Sequence, residues 1–286
     1  MPDKFSAVWV SHSSIADFRK CPRAYYLKNV YKRPETGRKM TIMTPALALG
    51  QAVHSAIESL SVIKTEERFQ TPLMVRFSQA WDEVSGKKGG FSSLEQESQY
   101  KERGEAMIRR VQNTPGPVGR KAVKMSMELP HFWLSEEDGI ILCGKVDWLE
   151  WLPEENQVQV IDFKTGKQEE DTNSLQLPIY RLLVTNCQKH EVKGAYYWYL
   201  QWSDDLTPKE LPDMETAMEQ VLMAAKEVKL ARKLERYKCP TDGCRNCAPF
   251  EAILQGKAEF IGTNSYKTDV FILPSREFDA TDSVIL

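Results

Sequence analysis

Residues 157–166, QVQVIDFKTG, read as a strand that is apolar at alternate positions and then ends on Asp162, Phe163 and Lys164. Side chains alternate faces along a strand, so Asp162 and Lys164 share one face with Val158 and Val160. The preceding run, GIILCGKVDWLEWL, is also strand-like, and PEEN between the two is a turn. A hairpin folded there brings Asp147 alongside Asp162. Two converging carboxylates make a hard-cation site, because Mg²⁺ takes oxygen ligands and retains waters, one of which can act as nucleophile. Lys164 beside them can orient that water or offset charge building on a phosphoryl group. D-x-K is short enough to occur on an ordinary surface hairpin, so what surrounds it carries the weight.

The surroundings are organised. With 286 residues, 42% hydrophobic and 27% charged, the chain can bury a substantial core, and low complexity or general disorder is excluded. No apolar run approaches the ~18 residues of a membrane span. The N-terminus has no basic head followed by an apolar stretch, so a cytoplasmic location is expected (the host cytoplasm if the chain is phage-encoded).

Residues 11–113 read as helical. Ser13 or Ser14 caps a helix through IADFRKCPRAYYLKNVY, Thr44-Pro45 starts a second, Thr71-Pro72 a third, and SSLEQESQYKERGEAMIRRVQ forms a fourth. KAVKMSMELPHFWL, GIILCGKVDWLEWL and QVQVIDFKTG are strands, LQLPIYRLLVTNC a helix and GAYYWYLQW an aromatic strand. A long amphipathic helix over METAMEQVLMAAKEVKLARKLERY leads to a cysteine cluster and a short helix. The expected organisation is one domain over 1–256: helices at 11–113, catalytic sheet and helix at 121–202, long helix and cysteines at 213–256. Residues 257–286 carry no usable signal.

His54 lies on a helix face shared with Ala46, Gly50 and Glu58, and Gln176 and Tyr180 are four apart on the helix after Lys164. Either feature alone is ordinary packing. In order along the chain, however, the pieces are G-x-x-x-H, G-x-x-D, D-x-K-T-G and Q-x-x-x-Y. This set resembles the RecB-type branch of the PD-(D/E)XK nucleases, which includes the AddB nuclease domain, the CRISPR-associated iron–sulfur exonucleases and related phage exonucleases. The resemblance runs from about Ser11 to Gly256. It implies an α/β fold, with a central mixed sheet flanked by helices, a helical N-terminal region and a C-terminal cysteine clasp. It also implies that His54, Asp147, Asp162 and the main-chain carbonyl of Phe163 hold Mg²⁺ or Mn²⁺, with Lys164 catalytic. Gln176 and Tyr180 would position DNA or the scissile phosphate. Glu128 sits where many relatives carry an acidic residue on the first strand.

Three of the six cysteines, Cys239, Cys244 and Cys247, fall within nine residues, which points to metal rather than to scattered core thiols. Relatives with a [4Fe–4S] cluster use one cysteine before the nuclease core and three after it. Cys21, followed by Pro22 and aromatics, matches the leading position. The trailing order differs here, because the third thiol precedes the close pair instead of following it. The C-x4-C-x2-C spacing also occurs in plant-type [2Fe–2S] proteins, but no ferredoxin context surrounds it. Zinc is the competing occupant, since four thiolates satisfy a tetrahedral site equally well. Either metal would staple the first helix to the last. Cys143 and Cys187 read as core.

The net charge of −2 means that affinity for nucleic acid must be local. Residues 19–39 and 226–238 are rich in Lys and Arg, and a clasp at the cysteines would join them into one basic surface able to guide a strand by its phosphates. The expected function is a metal-dependent DNA nuclease, an exonuclease acting on ends or single strands. One alternative is a DNA-end-processing component of CRISPR spacer acquisition working with an integrase. Another is a catalytically silent protein that binds DNA or a partner. No G-x-x-x-x-G-K-[ST] motif is present, so ATP-driven unwinding would need a helicase partner.

Overall fold

The computed structural model describes residues 3–274. The chain opens with β1 (Val8–Val10) and α1 (His12–Lys20). Ser11, rather than Ser13 or Ser14, caps α1: its hydroxyl accepts the Ser14 N–H, while the Ser14 hydroxyl accepts the Ser11 N–H. The predicted continuous helix breaks at Cys21, which is extended at φ −167° and ψ 114°. Pro22 disfavours a helical residue before it, and the Cys21 thiol accepts the Ala24 N–H to start α2 (Pro22–Tyr25). A π-helical turn (Tyr26–Val30) and β2 (Met40–Ile42) follow.

α3 (Pro45–Glu58) begins as the sequence predicts, with Thr44 as cap and Pro45 in the first turn. α4 (Leu73–Asp82) starts after Pro72 with no side-chain cap from Thr71, and α5 (Leu94–Asn113) is capped by Ser93. Val53, Phe77, Trp81, Met107 and Ile108 join these three helices in one buried cluster.

The strands are β3 (His131–Ser135), β4 (Ile140–Cys143), β5 (Trp148–Leu152), β6 (Gln157–Lys164), β7 (Glu191–Tyr199) and β8 (Thr207–Lys209), with α6 (Gln176–Cys187) between β6 and β7. Two expectations change here. KAVKMSMELP is not a strand; it follows the edge of β5 through two backbone bonds, Val123 N–H to Leu149 and Trp151 N–H to Lys121. GIILCGKVDWLEWL is two strands in two sheets, β1-β4-β3 and β5-β6-β7-β8, with the crossing at 144–147. The β5–β6 hairpin turns where PEEN predicts it, pairing Trp148 with Ile161 and Leu152 with Gln157.

β6 and β7 run parallel, which requires the crossover that α6 supplies. Phe163 and Ile161 pack with Trp148 and Trp198 against the α3–α5 cluster. Val158 and Val160 pack instead with Tyr180 and Val184 of α6. Asp162 and Lys164 belong to this second face, so the strand aims them at α6. Phe163→Ala would cost about 3–5 kcal/mol by opening a cavity directly behind them.

α7 (Met214–Lys233) packs on α6, and α8 (Ala248–Leu254) follows the cysteines. Residues 259–272 then form a hairpin of β9 (Glu259–Thr263) and β10 (Asp269–Ile272), with β10 parallel to β2. Asp269, the first residue of β10 beside the turn, is fully buried, 2.9 Å from Arg33 Nη1 and 2.7 Å from the Thr36 hydroxyl. The signal was missed because strands this short are stabilised by a partner over 200 residues earlier in the chain.

Candidate active site

Asp147 lies in the crossing segment, one residue before β5. Its Oδ2 accepts the Phe163 N–H at 3.0 Å, continuing the hairpin past its last strand pair. In an extended strand the N–H and C=O of one residue point to the same edge, so the Phe163 carbonyl also faces the Asp147 side. α3 brings His54 to the same place, with Nδ1 at 3.4 Å from Asp147 Oδ2. Gly50, one helical turn earlier, explains the G-x-x-x-H spacing: a Cβ there would meet Thr165 Oγ1 at 3.3 Å, so a small residue lets α3 approach the end of β6.

Glu58 completes this group. Its carboxylate lies 3.2 Å from His54 Nδ1, and donor atoms of His54, Glu58 and Asp147 all fall within 4.8 Å of one another. The i, i+4 spacing from His54 was the available signal, since it places the two side chains on one helix face. Glu128 is exposed and lies in a bend rather than a strand, but it lines a cleft of 490 Å³ together with Glu58, Lys145 and Asp147.

Asp162 is buried beside this group and faces α6. Its Oδ1 accepts from Gln176 Nε2 and from the Tyr180 hydroxyl, each at 2.8 Å. Lys164 Nζ stands 2.8 Å from Asp162 Oδ2 and 3.0 Å from Glu170, and donates to Gln176 Oε1 at 2.6 Å. Gln176 and Tyr180 are themselves buried and spend their polar atoms on Asp162 and Lys164. In this geometry both side chains hold that pair, and neither lines the open cleft.

The electrostatics leave the carboxylates short of positive charge. Burial, and then repulsion from Asp147, pushes the Asp162 carboxyl up to about 6, although Lys164 and Tyr180 pull against this. Burial works against a charged His54, but Asp147 and Glu58 outweigh it and hold its pKa well above the ordinary value. Lys164 is likewise kept charged despite burial, by Asp162 and Glu170. Asp162 Oδ2 is buried, with the Lys164 ammonium 2.8 Å away. His54, Glu58 and Asp147 form the close donor group, Asp162 lies just outside it, and these carboxylates with an imidazole are a donor set that fits Mg²⁺ or Mn²⁺.

The second group is made of sulfur. Donor atoms of Cys21, Cys239, Cys244 and Cys247 lie within 4.8 Å of one another, and all four are free thiols. Backbone N–H groups of Ala24, Gly243 and Cys244 point at Cys21, Cys239 and Cys247 respectively, at 3.3–3.5 Å. N–H bonds from Thr241 and Gly243 pull the Cys239 thiol down to about 6, whereas burial pushes Cys247 up to about 12. Such donors suit thiolates, and the set fits a metal ion or cluster. The departure from the usual trailing order does not prevent convergence, because the turn over Thr241–Gly243 returns Cys239 to the close pair. Cys143 and Cys187 stand apart and half-buried.

Part of the expected basic surface is taken up in ion pairs. Arg23 pairs with Glu251, Lys28 with Asp17, Arg33 and Arg38 with Asp269, and Lys226 and Lys229 with Asp138. The two segments do meet, since Lys39 is held below its ordinary pKa by burial and then by Arg232 and Lys32.

Residues 9–250 match the PD-(D/E)XK nuclease superfamily. The chain belongs to that superfamily. The match takes in His54, Asp147, Asp162, Lys164 and all four clustered cysteines, and it stops short of β9. A search of curated proteins gives no significant match. Membership makes metal-dependent nuclease chemistry the coarse function, and among the described residues no helix is long and apolar enough to cross a membrane.

Proposed function

We propose that this PD-(D/E)XK nuclease belongs to the RecB-type branch and is an exonuclease, hydrolysing phosphodiester bonds at DNA ends or in single strands. The observation that carries the reading is the meeting of Asp147, Asp162 and Lys164 at one end of the β5–β6 hairpin with His54 of α3. His54, Asp147, Asp162 and the Phe163 carbonyl would hold a divalent ion, with Glu58 as a further carboxylate within reach. The ion, when bound, supplies an activated water and neutralises charge at the phosphate. Lys164 orients the attacking water and offsets charge on the phosphoryl oxygens, with Gln176, Asp162 and Glu170 fixing its ammonium. Tyr180 and Gln176 fix one oxygen of the Asp162 carboxylate, and the other, beside Lys164, would be shared with the ion.

The cysteine site holds a [4Fe–4S] cluster on this reading and ties α2 to the segment before α8. Protein prepared without oxygen should be brown and contain iron; a colourless preparation with stoichiometric zinc would replace the cluster by a zinc clasp and leave the nuclease reading intact.

End-labelled linear DNA, single- and double-stranded, compared with circular single-stranded DNA tests the exonuclease. Label should be released from linear substrates with Mg²⁺ or Mn²⁺ while circles survive. Cutting of circles at the same rate would make the enzyme an endonuclease, and no cutting of any DNA would contradict the nuclease assignment.

A further inference from the structure

The β9–β10 hairpin lies beyond the stretch matched to the superfamily, yet its turn reaches the rim of the candidate active site. Tyr266, at the tip, is 73% exposed. Lys145 Nζ donates to its hydroxyl at 3.3 Å and stands 5.8 Å from its ring centroid. Lys145 is two residues before Asp147 and lines the same cleft as Glu58 and Asp147.

The tip is held firmly. The Asn264 side chain accepts the N–H groups of Tyr266 and Thr268 at 3.1 and 3.0 Å, and the Asn264 N–H donates to the Thr268 carbonyl at 3.0 Å. Beside the turn, Asp269 is clamped by Arg33 and Thr36, and at the open end of the hairpin Lys87 pairs with Glu259 at 2.8 Å. A pre-positioned, exposed aromatic ring beside an ammonium group offers a π-face for a base and a charge for the adjoining phosphate. Burial cannot explain this ring, because it covers no core cluster.

Building on the nuclease reading above, we propose that Tyr266 stacks an unpaired nucleobase and that Lys145 holds the neighbouring phosphate, so the C-terminal hairpin grips single-stranded DNA beside the scissile bond. Stacking is tolerant of base identity, so this grip selects unpaired strands rather than a sequence.

The test is steady-state cleavage of a single-stranded oligothymidylate with Mn²⁺ by wild type, Tyr266→Ala and Tyr266→Phe, with melting curves for each. Tyr266→Ala should raise KM about tenfold at unchanged kcat and unchanged melting, the scale of one lost base stack. Tyr266→Phe keeps the ring and should behave as wild type. An unchanged KM in Tyr266→Ala would overturn the proposal, as would a Tyr266→Phe variant as impaired as Tyr266→Ala, which would make the hydroxyl contact structural. A wild type that cuts no DNA with either ion overturns the nuclease reading and this one together, whereas normal cutting with an unmoved KM overturns only the grip.

Discussion

Asp162 is held by the side chains of Gln176, Tyr180 and Lys164, and Asp147 by a backbone N–H and His54. The four clustered thiols have one another and a few weak contacts with backbone N–H groups, the Thr241 hydroxyl and the Cys244 carbonyl. Both sites are shaped for a cation, but the carboxylate site would keep its shape without one, because strand pairing and α6 position it. The thiol site joins residues more than 200 apart in sequence, where the Arg23–Glu251 pair, the stacking of Tyr26 on Tyr237 and the packing of Leu27 with Phe250 and Ile253 already bring the two segments together for a shared metal to cross-link. On the function proposed above, the contrast is between an ion that would serve reaction and a metal that would serve folding.

The largest effect should come from breaking the prepared site. Asp162→Asn and Lys164→Ala are each expected to reduce cleavage by at least roughly 10²–10³-fold, the scale of losing one pre-organised charged partner, while DNA binding by gel shift survives. Wild-type cleavage rates in either variant would remove this strand from the reaction.

Next is the thiol site. In a chain-entropy description, a cross-link closing a loop this long contributes about 4–5 kcal/mol, comparable with much of a domain's ~5–15 kcal/mol stability. Cys244→Ser should therefore give protease-sensitive or insoluble protein, read by limited proteolysis and melting. Unchanged melting with lost cleavage would instead assign the cysteines to the chemistry.

Asp162 supplies a pH test. A carboxyl raised to about 6 from an unfolded value of 3.8 contributes stability that is complete below the unfolded value and lost as pH rises through about 6. A bound divalent ion offsets that loss, so adding Mn²⁺ should raise the melting temperature more above this window than below it. Equal shifts on both sides would mean that the ion binds elsewhere.

The smallest effect concerns Asp269. Burial pushes its pKa up, but Thr36, Arg33 and Arg38 outweigh this and hold it below its unfolded value. Its stabilising share is present above the unfolded value and lost as pH falls through the lower folded one. Asp269→Asn should cost about 1–3 kcal/mol and speed amide exchange in β9 and β10 before the rest of the fold. Uniform exchange across the chain would contradict a locally anchored hairpin.

What could be read from the chain follows the range of the interactions. β6, α3, α6 and α7 were legible because their periodicity lies within their own residues, and the hairpin at PEEN carried Asp147 to Asp162. The cap at Ser11, the break at Cys21 and the change of sheet at 144–147 were not, since each depends on which neighbour a segment meets. Glu58 was visible as a helix-face partner of His54, but only the approach of α3 to β6, allowed by Gly50, makes it part of the site. The pairing of some of the basic residues was hidden for the same reason: Asp269, Asp138 and Glu251 reach them from distant parts of the chain.

The most direct test of the separation between a reaction ion and a folding metal is a titration. Protein dialysed into buffer freed of divalent ions would be assayed on end-labelled single-stranded DNA while Mn²⁺ is added, with melting followed on the same samples. Cleavage should be absent at the start and rise saturably, while the protein is already folded before any ion is added. Cleavage without added ion, or a fold that appears only as Mn²⁺ is added, would contradict the account.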